Sequence, residues 1–378
     1  MIAKSVSDIL QIIRNFTGNL DDLNPDYFDK LLVEASGNLQ FEKCVAVKGE
    51  SVIVKAYSKS IQKSVAVKIA LPGKLSSTGR HSVINIRKKI IDAVFAGKNA
   101  LPISTKAAER FKFAGRMQAY LSSELASSTY SIYGSIPPVH HSGGANGNSS
   151  LVYFVMDFIE GKSLIEWCKD KDEHEILVFF YNMVKLVEHG MHDQGIAHTD
   201  LKHDNFLVLN DLPVALDFGI CKNLKADVFE LTSVGEVIGT PYIIPPEMRI
   251  DAKGRNFLVD IYQLGLVLWI LWAKGLPDFS AIVNVNNIDF RHEYFKSQIF
   301  DRKDMPFNGV GFIYDKMTTN LEERYEDISC VSKVLEEYLH VYRPKRRSFG
   351  SAWKEGIDDQ ALVPAIEHMM KGVEEMTR

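Results

Sequence analysis

The sequence predicts an α+β chain in two successive parts, a small antiparallel β-rich part and then a larger, mainly helical one. Three observations lead there. Phe41 to Ala70 alternates and is rich in valine, as in Val52-Ile-Val and Val65-Ala-Val-Lys-Ile, the pattern of paired strands broken by polar turns. Beyond Glu160-Gly161-Lys162 the apolar spacing lengthens to the helical period over 163–170, 174–193, 257–273 and 325–341. The chain is 46% hydrophobic with both charge signs interspersed, which places it among soluble globular proteins and outside the disordered and fibrous classes.

Taken in order, Ile9, Leu10, Ile12 and Ile13 give residues 1–37 a helical rhythm, read as an N-terminal extension. Valine-rich strands follow at Cys44-Val-Ala-Val, Val52-Ile-Val and Val65-Ala-Val-Lys-Ile, and Pro72-Gly73 closes that block. Two helical segments are expected at 84–96 and 105–121. Residues 122–150 are dominated by Ser, Gly, Asn and Pro and read as loop. Leu151 to Phe158 is a compact apolar strand, and the border near 157–162 is a natural hinge; ligands favour clefts between such parts. The expected organisation is an extension at 1–37, a domain at 38–341 (small part about 38–157, large part about 160–341), and a basic linker with a C-terminal helix at 342–378.

Composition narrows the function classes. A formal net charge of −4 gives no global basic field, so nucleic acid is not the expected partner. The run Arg343-Pro-Lys-Arg-Arg347 reads as a solvated surface segment. Cys44, Cys168, Cys221 and Cys330 have no paired spacing and fit reduced thiols rather than a zinc site. Met1 to Asp8 is too polar for a signal peptide. Ile261 to Ala273 is too short to span a bilayer and follows Asp260 directly. A cytoplasmic protein with no membrane segment is expected.

The chemistry concentrates in Gly195-Ile-Ala-His-Thr-Asp-Leu-Lys-His-Asp-Asn205 and, after a short hairpin, Leu216-Asp-Phe-Gly219. This is an Asp, a Lys two residues on, an Asn three further, and a second Asp. Phosphoryl transfer needs metal to neutralise the phosphates and a carboxylate to orient the attacking hydroxyl, with little covalent work from the protein. Magnesium prefers oxygen ligands, which Asn and Asp supply. Two acids and an amide brought together by a tight hairpin suit that task.

These segments resemble the catalytic loop and the Asp-Phe-Gly triplet of the eukaryotic-like serine/threonine protein kinase family. By that resemblance Asp200 is the catalytic base, Lys202 steadies the transferred phosphoryl group, and Asn205 and Asp217 hold magnesium. Val65-Ala-Val-Lys68 looks like the strand whose lysine grips the ATP phosphates. Met156-Asp-Phe-Ile159 looks like gatekeeper and hinge, so Ile53, Ala66, Met156, Asp157 and Ile159 are expected around adenine. Gly239-Thr-Pro-Tyr-Ile-Ile-Pro-Pro-Glu247 resembles the close of the activation segment, with Thr240 shaping the substrate platform and Glu247 pairing with Arg324. Val259-Asp-Ile-Tyr-Gln-Leu-Gly265 resembles the central buried helix, whose Asp260 ties down the catalytic-loop backbone. His198 and Phe218 are expected to pack structurally beside Gly219. The resemblance covers about residues 41–341. It implies a protein kinase-like two-lobed fold, a small antiparallel sheet lobe and a mainly helical lobe with ATP and magnesium between them. It also implies transfer to Ser or Thr of a protein substrate.

Departures accompany it. Only Gly49 stands where the family has three phosphate-loop glycines, a position that fits a working lid or a plain strand-turn-strand equally well. A long insertion at 73–104 separates Lys68 from its helix glutamate. Glu109 is the expected partner because Phe113, Met117 and Leu121 continue a face below it, with Glu124 as fallback. Thr199 replaces the arginine that in many kinases binds an activation-loop phosphate, so less dependence on phosphorylation there is expected. Thr232 and Ser233 are possible modification sites, and autophosphorylation within 122–150 or 225–240 fits their Ser and Thr content. Cys221 has no activating partner, and the pairs His140-His141 and His189/His192 no third metal ligand. Two alternatives stay open: a pseudokinase scaffold, favoured by the glycine-poor loop, and a small-molecule phosphotransferase, disfavoured by the Glu247–Arg324 pattern. The flanks at 1–37 and 342–378 offer surfaces for docking, self-association or a regulator.

Overall fold

The computed structural model describes residues 5–48, 50–72, 105–143, 151–225, 243–245, 247, 256–276 and 309–341. The chain divides into two compact units. One takes Met1–Glu124, Ile136–Glu160 and Asp217–Gly219; the other takes Leu125–Ser135, Gly161–Leu216 and Ile220–Arg378.

The first unit opens with α1 (Val6–Asn15), started by a reciprocal cap between Ser5 and Asp8. In α2 (Pro25–Ala35), Asn24 caps the first turn and Pro25 sits where no amide hydrogen is needed. Then come β1 (Leu39–Lys48), β2 (Ser51–Ser58) and β3 (Lys63–Ala70), followed by α3 (Thr105–Ala126), β4 (Val139–Gly143) and β5 (Tyr153–Asp157). The five strands form one antiparallel sheet ordered β1-β2-β3-β5-β4.

Alternation along these strands gives the sheet two apolar faces. Val52, Val54, Ala56, Val65, Val67, Ile69 and Val155 point to one and share a core with Ile9, Leu10, Ile13, Phe28, Leu31 and Leu32 of α1 and α2. Phe28 stacks on Phe41 with ring centroids 4.9 Å apart. On the opposite face Ala66, Phe154 and Met156 meet Phe111 of α3, while Ala108 meets Ala70 and Val152. Helices α1 and α2, within the stretch expected as an extension ahead of the domain, thus form one of the two layers that close this sheet.

The second unit is mainly helical: α4 (Leu164–Cys168), α5 (Glu173–Val187), α6 (Phe257–Ala273), α7 (Gly309–Thr318) and α8 (Ile328–Val341). Short strands β6 (Lys162–Ser163), β8 (Phe206–Leu209) and β9 (Leu212–Ala215) form a three-stranded sheet, and β7 (Ile196–Ala197) pairs with β10 (Lys222–Asn223). Asn210 and Asp211, both left-handed at φ 52° and 59°, make the two-residue turn of the β8–β9 hairpin. Every residue of α6 from Val259 to Trp272 is buried, the mark of a helix apolar all round. A Cβ on its Gly265 would come within 2.6 Å of Thr318 Cγ2, so glycine lets α7 approach closely.

The α+β class expected from the sequence is therefore present, an antiparallel-sheet unit and a helical unit. Two local expectations differ. Within 122–150, α3 runs on to Ala126 because Leu125 is still buried. Val139–Gly143 is a strand, although His140, His141 and Ser142 are all exposed, because backbone pairing with β5 supplies what the side-chain pattern lacks. The helix expected at 84–96 and the linker with C-terminal helix expected at 342–378 lie outside the described residues, as do Gly49, Thr232, Ser233 and Thr240. Among the described residues no helix is long and apolar enough to cross a membrane.

Candidate active site

In the first unit the central strand β3 carries Lys68, 7% exposed, with Nζ 2.7 Å from Asp217 Oδ1. Asp217 takes a left-handed φ of 62°, unusual for a residue with a side chain, while Phe218 beside it is fully buried. A Cβ on Gly219 would press to 3.2 Å on the Asp217 carboxylate, so glycine leaves that group room. Ile53, Ala66 and Met156 gather in one apolar cluster with Phe111, Phe154 and Phe158. Gln118 of α3 donates from Nε2 to Pro137 O at 2.9 Å and to Met156 Sδ at 3.2 Å, which fixes the end of β5.

At the strand's end Asp157 accepts from Lys63 at 2.5 Å and from His140 at 2.6 Å. Partial burial pushes its carboxyl up, but the hydrogen bonds from Lys63 and His140 outweigh that and hold it below the usual carboxylate range. Ile159 follows, and Glu160 pairs with Lys55 at 2.8 Å.

The pairing of Lys68 with Glu109 expected from the sequence is not made: Glu109 meets Lys112 at 3.3 Å on its own helix. Helix rotation explains this. Ala108, Phe111, Gly115 and Gln118 form the stripe that faces the sheet, and at 100° per residue Glu109 lies about 140° around from it.

In the second unit the loop between β7 and β8 holds Asp200. Lys202 Nζ lies 2.8 Å from Asp200 Oδ2, and Asn205 Nδ2 donates to Asp200 O at 2.8 Å and Oδ2 at 3.1 Å. The amide nitrogen of Asn205 is thereby turned to Asp200, and Oδ1 takes the other side of the amide. His198, fully buried, donates from Nε2 to Leu216 O at 3.1 Å and accepts at Nδ1 from Asp200 N at 3.3 Å. A carbonyl only accepts and an amide N–H only donates, so the imidazole is the neutral Nε2–H tautomer.

Beneath the loop, Asp260 accepts from His198 N and Thr199 N at 2.7 Å each and from His192 Nε2 at 2.9 Å. His192 reaches it because α5 continues through one wide turn, closed by Asp193 N to Glu188 O at 2.9 Å. Arg324, its side chain fully buried, makes a two-pronged contact with Glu247 at 2.6 and 3.3 Å and donates to Leu258 O and Thr319 O.

A family model for the protein kinase domain matches residues 135–355, more than half of the 378. The chain belongs to the protein kinase family. Among its relatives is the serine/threonine-protein kinase PknD of Chlamydia abortus, 28% identical over 225 residues, 51% of this chain and 24% of that protein. The maternal embryonic leucine zipper kinase of Danio rerio is 31% identical over 137 residues, 34% of this chain and 19% of that one. The ovarian-specific serine/threonine-protein kinase Lok of Drosophila melanogaster is 35% identical over 135 residues, 33% and 27% of the two chains. The chain spans about a quarter of the length of the curated relatives it matches.

The kinase-family match takes in Asp200, Lys202, Asn205, Asp217, Glu247, Asp260 and Arg324 but begins after β3 and α3. Three residues around the loop escaped the sequence reading: His192, Gln263 and the hydroxyl of Thr199. A glutamine three positions after Asp260 in an otherwise apolar helix was the available signal for Gln263.

Proposed function

We propose that this chain is an ATP- and magnesium-dependent protein kinase that transfers the γ-phosphate to Ser or Thr of protein substrates and to itself. The observation that carries the reading is the Asp200 carboxylate, held by Lys202 and Asn205 in a loop whose backbone hangs on a buried acid. In that role Asp200 orients a substrate hydroxyl and takes its proton, while the hydroxyl oxygen bonds to the γ-phosphorus and the bond to the bridging oxygen of ADP breaks. Lys202 steadies the transferred group, and Lys68 positions the phosphates. His198, already neutral and bonded at both nitrogens, keeps the loop in shape rather than moving protons.

Asn205 Oδ1 and the Asp217 carboxylate would hold magnesium. They are oxygen donors only, which suits a hard cation; among the described residues no cluster of His, Cys, Asp and Glu competes for a softer one. Bound there, magnesium would supply charge neutralisation to the phosphates. Ile53, Ala66, Met156, Asp157 and Ile159 are assigned to adenine, Gly49 to the phosphates and Thr240 to the substrate platform.

Radiolabelled ATP with a generic protein substrate tests this directly. Transfer by the wild-type chain that Asp200→Ala abolishes supports it. Equal incorporation by both rejects it. A nucleotide-induced rise in melting temperature without transfer would mark a pseudokinase, and phosphorylation of an aminoglycoside panel a small-molecule phosphotransferase.

A further inference from the structure

Gln263 is 1% exposed in a helix otherwise given over to apolar packing. Its amide does not satisfy itself within α6. Oε1 accepts from Leu201 N at 2.8 Å and Nε2 donates to Thr199 O at 3.0 Å. Those two backbone groups flank Asp200 on either side. The partners fix which way the amide points, since Leu201 N–H can only donate and the Thr199 carbonyl can only accept. Asp260, three positions earlier on the same helix face, binds the two backbone amides just upstream, of His198 and Thr199.

Thr199 needs such holding. It sits at φ 62°, an outlier for a β-branched residue that persists only where its surroundings over-determine it. Asp260 takes its N–H and Gln263 its carbonyl, while its own hydroxyl donates to Ile220 O at 2.7 Å.

We infer that Gln263 is a positioning residue for Asp200: its amide clamps the peptide on each side of the base and so fixes where the carboxylate points. The clamp needs one donor and one acceptor from a single side chain, which a primary amide of this length supplies. It rests on the function proposed above and adds to it a determinant of rate as distinct from nucleotide affinity. Lys68 and Asp217, the groups assigned to phosphate and metal, are not among the partners of Gln263.

The test compares the full chain with Gln263→Met, which keeps the shape and loses both bonds. Gln263→Leu, also apolar and close in volume, guards against a methionine variant that does not fold, and a melting curve on each shows which are folded. The expected result is a kcat lower by about tenfold to a hundredfold, the scale of a small misplacement of a reacting group, with KM for ATP and nucleotide-induced stabilisation unchanged. In the wild-type chain the Leu201 amide should exchange its hydrogen slowly. Wild-type kcat in either variant, a loss confined to KM, or fast exchange at Leu201 overturns the role. Absence of transfer by the wild type itself, matching Asp200→Ala, instead overturns the function and this role with it.

Discussion

Lys68 Nζ and Asp217 Oδ1 lie 2.7 Å apart, but the two side chains are unequally covered, the lysine 9% and the aspartate 45% exposed. Removing one partner therefore differs from removing the other. Asp217→Asn leaves a buried ammonium facing a neutral amide and should cost about 1–3 kcal/mol. Lys68→Met leaves a carboxylate that water can reach, so its effect on stability should stay within about 1 kcal/mol. Both should lower phosphoryl transfer at least about a hundredfold. Denaturant midpoints and single-turnover rates measured on the two variants check this, and equal destabilisation by both would contradict the asymmetry.

The helices at the N-terminus should behave as core. Phe28 is fully buried between α2 and the sheet and stacks on Phe41; Phe28→Ala should cost about 3–5 kcal/mol. Val33 on the same helix is 67% exposed, and Val33→Ala should change stability by less than about 0.5 kcal/mol. Chemical denaturation of both variants reads the contrast. A small effect of Phe28→Ala would mean that residues 1–37 are an appendage after all.

The strand-then-helix order and the residues around Asp200 were legible because their signals are local: alternation in β2 and β3, and a loop whose acid, lysine and asparagine follow one another within six residues. The Lys68 partner was not, because it depends on how α3 is rotated. Met117 and Leu121 are buried, so the stripe that contains Glu109 looked like the inward one. The stripe that meets the sheet is built from the small and polar residues Ala108, Gly115 and Gln118 around a single Phe111. Strand β4 escaped for a related reason, since an edge strand held by backbone bonds needs no apolar code. Gln263 and His192 act through tertiary contacts 62 to 68 positions away along the chain, beyond any local pattern.

Asp157 sets a pH dependence. Lys63 and His140 hold its folded-state pKa below the ordinary value of 3.8. A depressed carboxyl contributes stability that is present above the unfolded pKa and is lost as pH falls through the folded one. Asp157→Asn should therefore be less stable than wild type at neutral pH, with the gap closing below about pH 4. The gap should also shrink in high salt, because the carboxylate is partly exposed. A difference between the two proteins that is constant from neutral pH to acid would contradict the ion pairs as its source.

Arg324 anchors Glu247 to α6. Its guanidinium is fully buried, reaches Glu247 with two nitrogens and fills the carbonyls of Leu258 and Thr319. Arg324→Ala leaves a largely buried carboxylate without its cation and takes the guanidinium donors from the Thr319 carbonyl, for a loss of about 3–5 kcal/mol. Arg324→Lys should recover little of it, because a point charge cannot reproduce the fork. Melting temperatures of the three proteins decide the matter, and a lysine variant matching wild type would show that charge alone suffices.

Thr199 stands where an arginine would tie the loop to a phosphate, and it ties the loop to backbone instead. Its hydroxyl donates to Ile220 O at 2.7 Å, just past Gly219. A neutral hydroxyl offers a phosphate no charge-assisted partner, so the loop's geometry should not wait on phosphorylation. Chain treated with phosphatase and chain preincubated with ATP should have transfer rates within about twofold of each other, since an added phosphate finds no arginine at this position. Thr199→Val keeps the shape, loses the bond to Ile220 and should lower kcat about tenfold by loosening the base. Steady-state rates before and after phosphatase treatment provide the check. A collapse of activity on dephosphorylation would show that a cation elsewhere in the chain does the work of the missing arginine.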